Sequence, residues 1–182
     1  MKKTLRKRER PYPHYEYLDP VSDQKIRIVP ERGGLITEWF CKNHKVFYFD
    51  SQRFSQTSKS VRGGVPILFP ICGDLPKDKV ELNHQNYYIK QHGFARDLPW
   101  QIDFCEDQSV ISLSLGDNDY TKNLFPYSFL IRIDIKLVVN SLNFSISIEN
   151  KSKDIMPFSF GLHPYFSISN FESLRFKGLP KF

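Results

Sequence analysis

Alanine is almost missing from this chain: Ala95 is the only one in 182 residues. The best helix former is therefore nearly absent, while Phe, Ile, Lys, Asn and Ser are common, a bias toward low helix content. No apolar run approaches the roughly 18 residues that a membrane-spanning helix needs, so no membrane partner is expected. Cysteine is scarce and odd in number. Cys41, Cys72 and Cys105 are widely spaced, which fits free thiols in a reducing, cytoplasmic setting better than a disulfide framework or a zinc site. The five histidines, His14, His44, His84, His92 and His163, form no close pair, and no acidic cluster joins them. No metal and no cofactor are expected on that pattern. A serine nucleophile elbow and a phosphate-cradling glycine loop are also lacking.

The body of the chain also lacks charge of one sign. The formal net charge is +6, but the first ten residues, MKKTLRKRER, carry six basic side chains and one acidic one. From Pro11 onward the balance is close to neutral. A near-neutral body gives no electrostatic footprint for nucleic acid, which is not an expected partner. The basic decapeptide runs into Pro11, Tyr12 and Pro13 rather than an apolar core, so it does not read as a secretory signal. Residues 1–24 read instead as a basic, proline- and tyrosine-containing leader, and residues 25–182 as the folded domain.

What the body does contain is strand pattern. Lys25–Val29, Leu35–Cys41, Lys45–Asp50, Tyr87–Ile89 and Val110–Leu115 read as short strands. The strongest signal lies between Tyr127 and Asn150. Phe129, Ile131, Ile133, Ile135 and Leu137 alternate with polar or mixed positions, and so do Leu142, Phe144, Ile146 and Ile148. Two period-two runs meeting near Asn140 and Ser141 predict an antiparallel hairpin. No window has convincing helical spacing, and GDNDYTKN (Gly116–Asn123) reads as a surface turn. The fold class is all-β, with two antiparallel sheets packed face to face.

Three segments carry unusual chemistry. In VRGGVPILFPICG (Val61–Gly73), a glycine pair and two prolines make a rigid loop beside Arg62, whose forked donors suit paired oxygens. In QHGFARDLPW (Gln91–Trp100), His92, Arg96 and Asp97 surround a glycine, and Phe94 or Trp100 offers an apolar face for a sugar ring. In PFSFGLHPYF (Pro157–Phe166), Pro164 pushes His163 toward extended geometry among aromatic residues, a placement suited to a general acid. Structural roles compete with each reading: a salt bridge for Arg62, an Arg96–Asp97 pair, and a satisfied rim histidine for His92 or His163.

These segments, in this order, resemble the aldose 1-epimerase, or galactose mutarotase-like, family, and within it the hexose-6-phosphate 1-epimerase-like branch. Gly34–Phe40 and Val46–Asp50 resemble its early strands. Arg62–Gly73 resembles its R-G-G-x-P-x-x-F-P-x-x-G segment and Gln91–Trp100 its H-G-F-A-R…W segment. Phe125–Phe129, Asn150 and Pro157–Phe166 match its later proline, asparagine and H-x-Y-F positions. The resemblance implies a β-supersandwich and interconversion of the α and β anomers of a hexose or hexose 6-phosphate by acid/base ring opening. His163 would be the general acid, and His92 would orient and polarise the sugar. Arg62, Arg96 and Asp97 would contact substrate, with no cofactor or metal.

One element of the family pattern has no match. Relatives carry a glutamate base in a strand well beyond H-x-Y-F, whereas only sixteen residues follow Phe166 and Glu172 does not occupy that place. The catalytic base is therefore unassigned, and the sandwich is expected to be incomplete at its C-terminal side. Such a chain would self-associate, require a second polypeptide, or persist as a weakly active or inactive sugar-binding remnant.

Overall fold

A computed structural model describes residues 3–175. In chain order its strands are Thr4–Arg8 (β1), His14–Asp19 (β2), Gln24–Val29 (β3), Leu35–Cys41 (β4), His44–Lys45 (β5), Ile67–Leu68 (β6), Lys79–Leu82 (β7) and Gln85–Tyr88 (β8). They continue with Gln101–Cys105 (β9), Val110–Gly116 (β10), Phe129–Val138 (β11), Ser141–Asn150 (β12) and Gly161–Leu162 (β13). Two short helices, Ser51–Phe54 (α1) and Asp119–Leu124 (α2), sit in connections.

The strands form an antiparallel sheet ordered β1-β2-β3-β4-β5 and a second ordered β12-β11-β10-β9, with small two-stranded pairings β13-β6 and β7-β8. Ile26, Ile28 and Ile36 of the first sheet and Ile111, Leu113, Ile131, Ile133 and Ile135 of the second enter one apolar core. The expected all-β sandwich is what forms. Alternation decides which residues enter the core, because successive side chains of a strand point to opposite faces. On β11 the buried set is Phe129, Ile131, Ile133, Ile135 and Leu137, as the period-two pattern predicts. Leu137 pairs with Leu142 and Val138 with Ser141, which leaves Val139 and Asn140 as a two-residue hairpin loop. Asn140 has a positive φ of 59°, a region asparagine tolerates better than most residues. The partner row on β12 is less covered, and Ile146 is exposed. β12 lies at the sheet margin and has a strand on one side only among the described residues.

Three expectations differ from the structure. The supposed leader holds two strands, β1 and β2, paired in register from Thr4↔Leu18 to Arg8↔His14. Its basic side chains face solvent on β1, whereas His14, Tyr17 and Asp19 are buried on β2. Lys3 Nζ lies 3.0 Å from the Asp19 carboxylate. Second, Lys45–Asp50 is not one continuous strand. After β5 it continues as isolated pairings, Phe47 with Phe166 and Phe49 with Gly63, because two different segments bond to it. Third, GDNDYTKN contains α2. Asn118 Oδ1 accepts from Thr121 N at 3.0 Å and Thr121 Oγ1 accepts from Asn118 N at 2.9 Å, a reciprocal cap strong enough to start a short helix.

Two outcomes test the integration of the first strands. Tyr17 is fully buried and its ring meets Phe104 of the second sheet at 5.3 Å between centroids. Tyr17→Ala should cost about 3 kcal/mol in denaturant unfolding, whereas a shift below about 1 kcal/mol would show that β2 is dispensable. Burial works against the charge of Asp19, but Lys3 and the Ser22 and Val21 donors outweigh it and hold its pKa below the ordinary 3.8. A depressed carboxylate contributes stability above its unfolded pKa and loses it as pH falls through the folded one. Asp19→Asn should therefore flatten the acid limb of a thermal-stability profile below about pH 4.

Candidate functional site

The site is built by one backbone ladder. Residues 159–167 run beside 64–70: Ser159 N donates to Pro70 O at 2.8 Å, His163 N to Pro66 O at 2.9 Å and Tyr165 N to Gly64 O at 2.9 Å, with β13 paired to β6 between them. The donors fall at odd positions, so Pro164, which has no N–H, sits where the ladder requires none. On its other side the same segment meets the chain after β5, with Tyr48 N donating to Tyr165 O and Ser167 N to Val46 O, both at 2.8 Å. His163 is thereby fixed in backbone position while its side chain stays exposed.

Glycines let the neighbouring segments approach. Gly64 has φ +66°, and a Cβ there would lie 2.4 Å from the Ile36 carbonyl oxygen. Gly93 has φ +74°, and its Cβ would lie 2.1 Å from the Phe69 carbonyl oxygen. Only a residue without a side chain fits either place. Gly93 docks the 91–100 loop on Phe69, just after β6, and Phe94 N bonds Phe69 O at 3.0 Å. His92, just before it, is turned toward the cleft.

The two histidines meet. Their ring centroids are 6.0 Å apart, and the His163 ring lies 4.9 Å from that of Tyr165. His92 Nδ1 is 2.5 Å from the Cys72 carbonyl oxygen. A carbonyl brings no proton, so Nδ1 is the donor and neutral His92 keeps an Nε2 lone pair for a hydroxyl. Together with Arg62, Arg96 and Asp97 these histidines line a cleft of about 450 Å³. That volume suits a small ligand.

The charged residues differ in freedom. Arg62 is exposed, and its side chain makes no hydrogen bond or ion pair among the described residues. Arg96 Nη2 donates to Gln91 O at 3.1 Å, and its Nε stands 3.8 Å from Asp97 Oδ2. That Nε is buried and lacks a hydrogen-bond partner among the described residues. Among the described residues Asp97 is the one carboxylate lining the cleft, and it is mostly exposed. Among the described residues no group of three or more metal-ligating side chains is gathered.

The structure brings together every site residue expected from the sequence: His92, His163, Arg62, Arg96 and Asp97 share one cleft. It does not support an aromatic platform from Phe94 or Trp100. Both are buried in the core, and Trp100 Nε1 is spent on Ala95 O at 2.9 Å. Tyr165 is the aromatic residue that reaches the cleft. Arg32 and Gln91 also line it and were missed. Arg32 sits in a Pro-Glu-Arg-Gly-Gly turn whose local pattern says turn and nothing about a cleft.

Residues 27–180 match the family model described as aldose 1-epimerase. The chain belongs to the aldose 1-epimerase family. Within it, the chain is 30% identical over 159 residues to a candidate glucose-6-phosphate 1-epimerase of Cenchrus ciliaris, covering 81% of this chain and 45% of that protein. It is 28% identical over 121 residues to protein LacX of Lactococcus lactis subsp. lactis, covering 63% of this chain and 40% of that one. Among solved structures it is similar to the Slr1438 protein of Synechocystis sp. PCC 6803, with TM-score 0.82 and 43% identity over 91% of this chain and 58% of that one. A galactose mutarotase related enzyme from Lactobacillus acidophilus gives TM-score 0.74 and 26% identity over 89% and 51%. This epimerase-family chain thus spans about half the length of the curated relatives it matches.

The close approaches at the glycines are testable. Gly93→Ala should destabilise the fold by at least about 1 kcal/mol. Gly73→Ala, where a Cβ meets nothing within 4 Å, should be near neutral in the same urea titration. Equal stability of the two variants would contradict the packing described.

Proposed function

We propose that the cleft binds a hexose or hexose 6-phosphate and interconverts its anomers by acid/base ring opening. The juxtaposition of His92 and His163 at 6.0 Å, in a chain of the aldose 1-epimerase family, carries this reading. His163 in its protonated form gives a proton to the ring oxygen while the anomeric hydroxyl passes one to a base, a role to which no described residue is assigned. The bond between the anomeric carbon and the ring oxygen breaks, leaving an open-chain aldehyde. Rotation presents the other carbonyl face, and closure returns both protons. His92 holds the sugar through Nε2, its ring fixed by the Cys72 carbonyl. Arg62, whose guanidinium makes no hydrogen bond or ion pair among the described residues, and Arg96 on the same cleft favour an anionic substrate such as a sugar phosphate. Asp97 orients Arg96 or contacts a hydroxyl.

A second reading is favoured by one observation. Asp97 is the only carboxylate lining the described cleft, and it is exposed beside Arg96, a poor setting for a base. On that reading the chain binds sugar or sugar phosphate without turnover, or completes the site by self-association or with a second polypeptide. The half-open row on β12 and the exposed Phe158 and Phe166 are consistent with such a contact. No helix among the described residues is long and apolar enough to cross a membrane. Three free cysteines fit a reducing, cytoplasmic location.

His163→Ala should lower the rate of anomer interconversion about 100-fold or more, measured by NMR exchange, while leaving sugar binding largely intact. Full retention of rate would reject His163 as the acid. Arg62→Ala should weaken binding of hexose 6-phosphate about tenfold and of the free hexose far less. Equal losses for both sugars would remove Arg62 from the phosphate contact.

A further inference from the structure

Between Asp50 and Arg62 the chain leaves the sandwich and returns. The excursion is closed at its base by Asp50 N donating to Arg62 O at 3.0 Å. It begins with α1, capped by Asp50 Oδ1 on Arg53 N at 2.8 Å, and continues through residues 55–60, all exposed. Yet it ends on Ser60, Val61 and Arg62, which form one wall of the cleft. Exposed backbone with few apolar contacts opens easily, so this wall needs a tether.

The tether comes from the turn before β4. Arg32 Nη1 donates to Phe54 O, and Arg32 Nη2 donates to Lys59 O at 3.1 Å. The guanidinium also lies over the Phe54 ring, 4.3 Å from its centroid. Phe54 is itself buried against Tyr12 and Phe49, each at 5.1 Å between ring centroids. One planar group thus grips the loop on both limbs, at α1 and just before Ser60. The turn that carries Arg32 is anchored to the opposite wall. Gly33 N donates to Leu98 O and Trp100 N to Pro30 O, both at 2.9 Å. A Cβ on Gly33 would lie 2.1 Å from the Arg96 carbonyl oxygen.

We infer that Arg32 is a positioning residue, clamping the 51–62 loop to the 30–34 turn so that Arg62 is held facing Arg96 and His92 across the cleft. The inference rests on the sugar-phosphate reading for its consequence in binding, but the clamp itself does not. Arg62 has no side-chain partner of its own among the described residues, so its place is set by its backbone, which Asp50 N holds at the base of the loop, Arg53 holds at Ser60, and Arg32 clamps through Phe54 and Lys59. A lysine cannot replace the fork, because one ammonium on a flexible stem lacks the rigid pair of donors that spans both carbonyls.

Hydrogen–deuterium exchange on the full chain, as wild type, Arg32→Ala and Arg32→Lys, tests this, with glucose 6-phosphate and glucose titrated in parallel. Arg32→Ala should speed exchange of amides 55–62 about tenfold while those of 64–70 stay protected. Arg32→Lys should restore only part of the protection. In turnover, KM for glucose 6-phosphate should rise about tenfold with kcat within about twofold of wild type. Unchanged exchange of 55–62 in Arg32→Ala would overturn the clamp. So would exchange raised equally across the sandwich, and so would full rescue of both exchange and KM by lysine. If wild type binds neither sugar, the sugar reading fails, and the exchange result still decides whether Arg32 clamps the loop.

Discussion

The backbone ladder between residues 159–167 and 64–70 is the constraint on which the site depends. Ser159, His163 and Tyr165 donate to Pro70, Pro66 and Gly64. Without that zipper His163, separated by some 70 residues of chain from His92, would have no reason to meet it. The ladder forms because the 64–70 segment can come close to everything around it. Gly64 passes within contact of the β4 backbone, and Gly93 lies against Phe69. The two sheets supply the mass of buried apolar surface, but these narrow passages convert a sandwich into a cleft.

The cleft is then shaped by what is satisfied and what is not. His92 has one ring nitrogen committed to the Cys72 carbonyl and the other available. Arg32 is consumed by two carbonyls and an aromatic face. Among the described residues the Arg62 side chain makes no hydrogen bond, and the Arg96 Nε has the Asp97 carboxylate at 3.8 Å but no hydrogen-bond partner. Three guanidinium groups against one exposed carboxylate among the described residues make an electropositive mouth, in contrast with the near-neutral body. On the proposed reading the arrangement accounts for binding of an anionic sugar more firmly than for proton removal. Within the described residues the acid has a clear candidate and the base has none of comparable quality.

Much of this was legible in the sequence, for reasons that differ by element. The β11–β12 hairpin was readable because period-two alternation over twenty residues has one interpretation, and Asn140 marks its turn. That His92, His163, Arg62 and Arg96 share one cleft was legible because their proline- and glycine-bearing segments, taken in order, resemble those of the family. The first two strands were not, since the basic residues of β1 are its solvent face and β2 does not alternate cleanly. Trp100 was read as a ligand platform because sequence shows an aromatic residue and not its burial. Its ring packs against Gly34, which lies in a distant turn. Arg32 escaped for the same reason: its partners, Phe54 and Lys59, lie more than twenty residues away.

The central claim is that this cleft interconverts sugar anomers. Two-dimensional NMR exchange on glucose 6-phosphate, with well-folded protein at substoichiometric concentration, addresses it most directly. The account predicts cross-peaks between the α and β anomers that grow with protein concentration. Exchange no faster than in buffer alone, with the protein still folded, would contradict it.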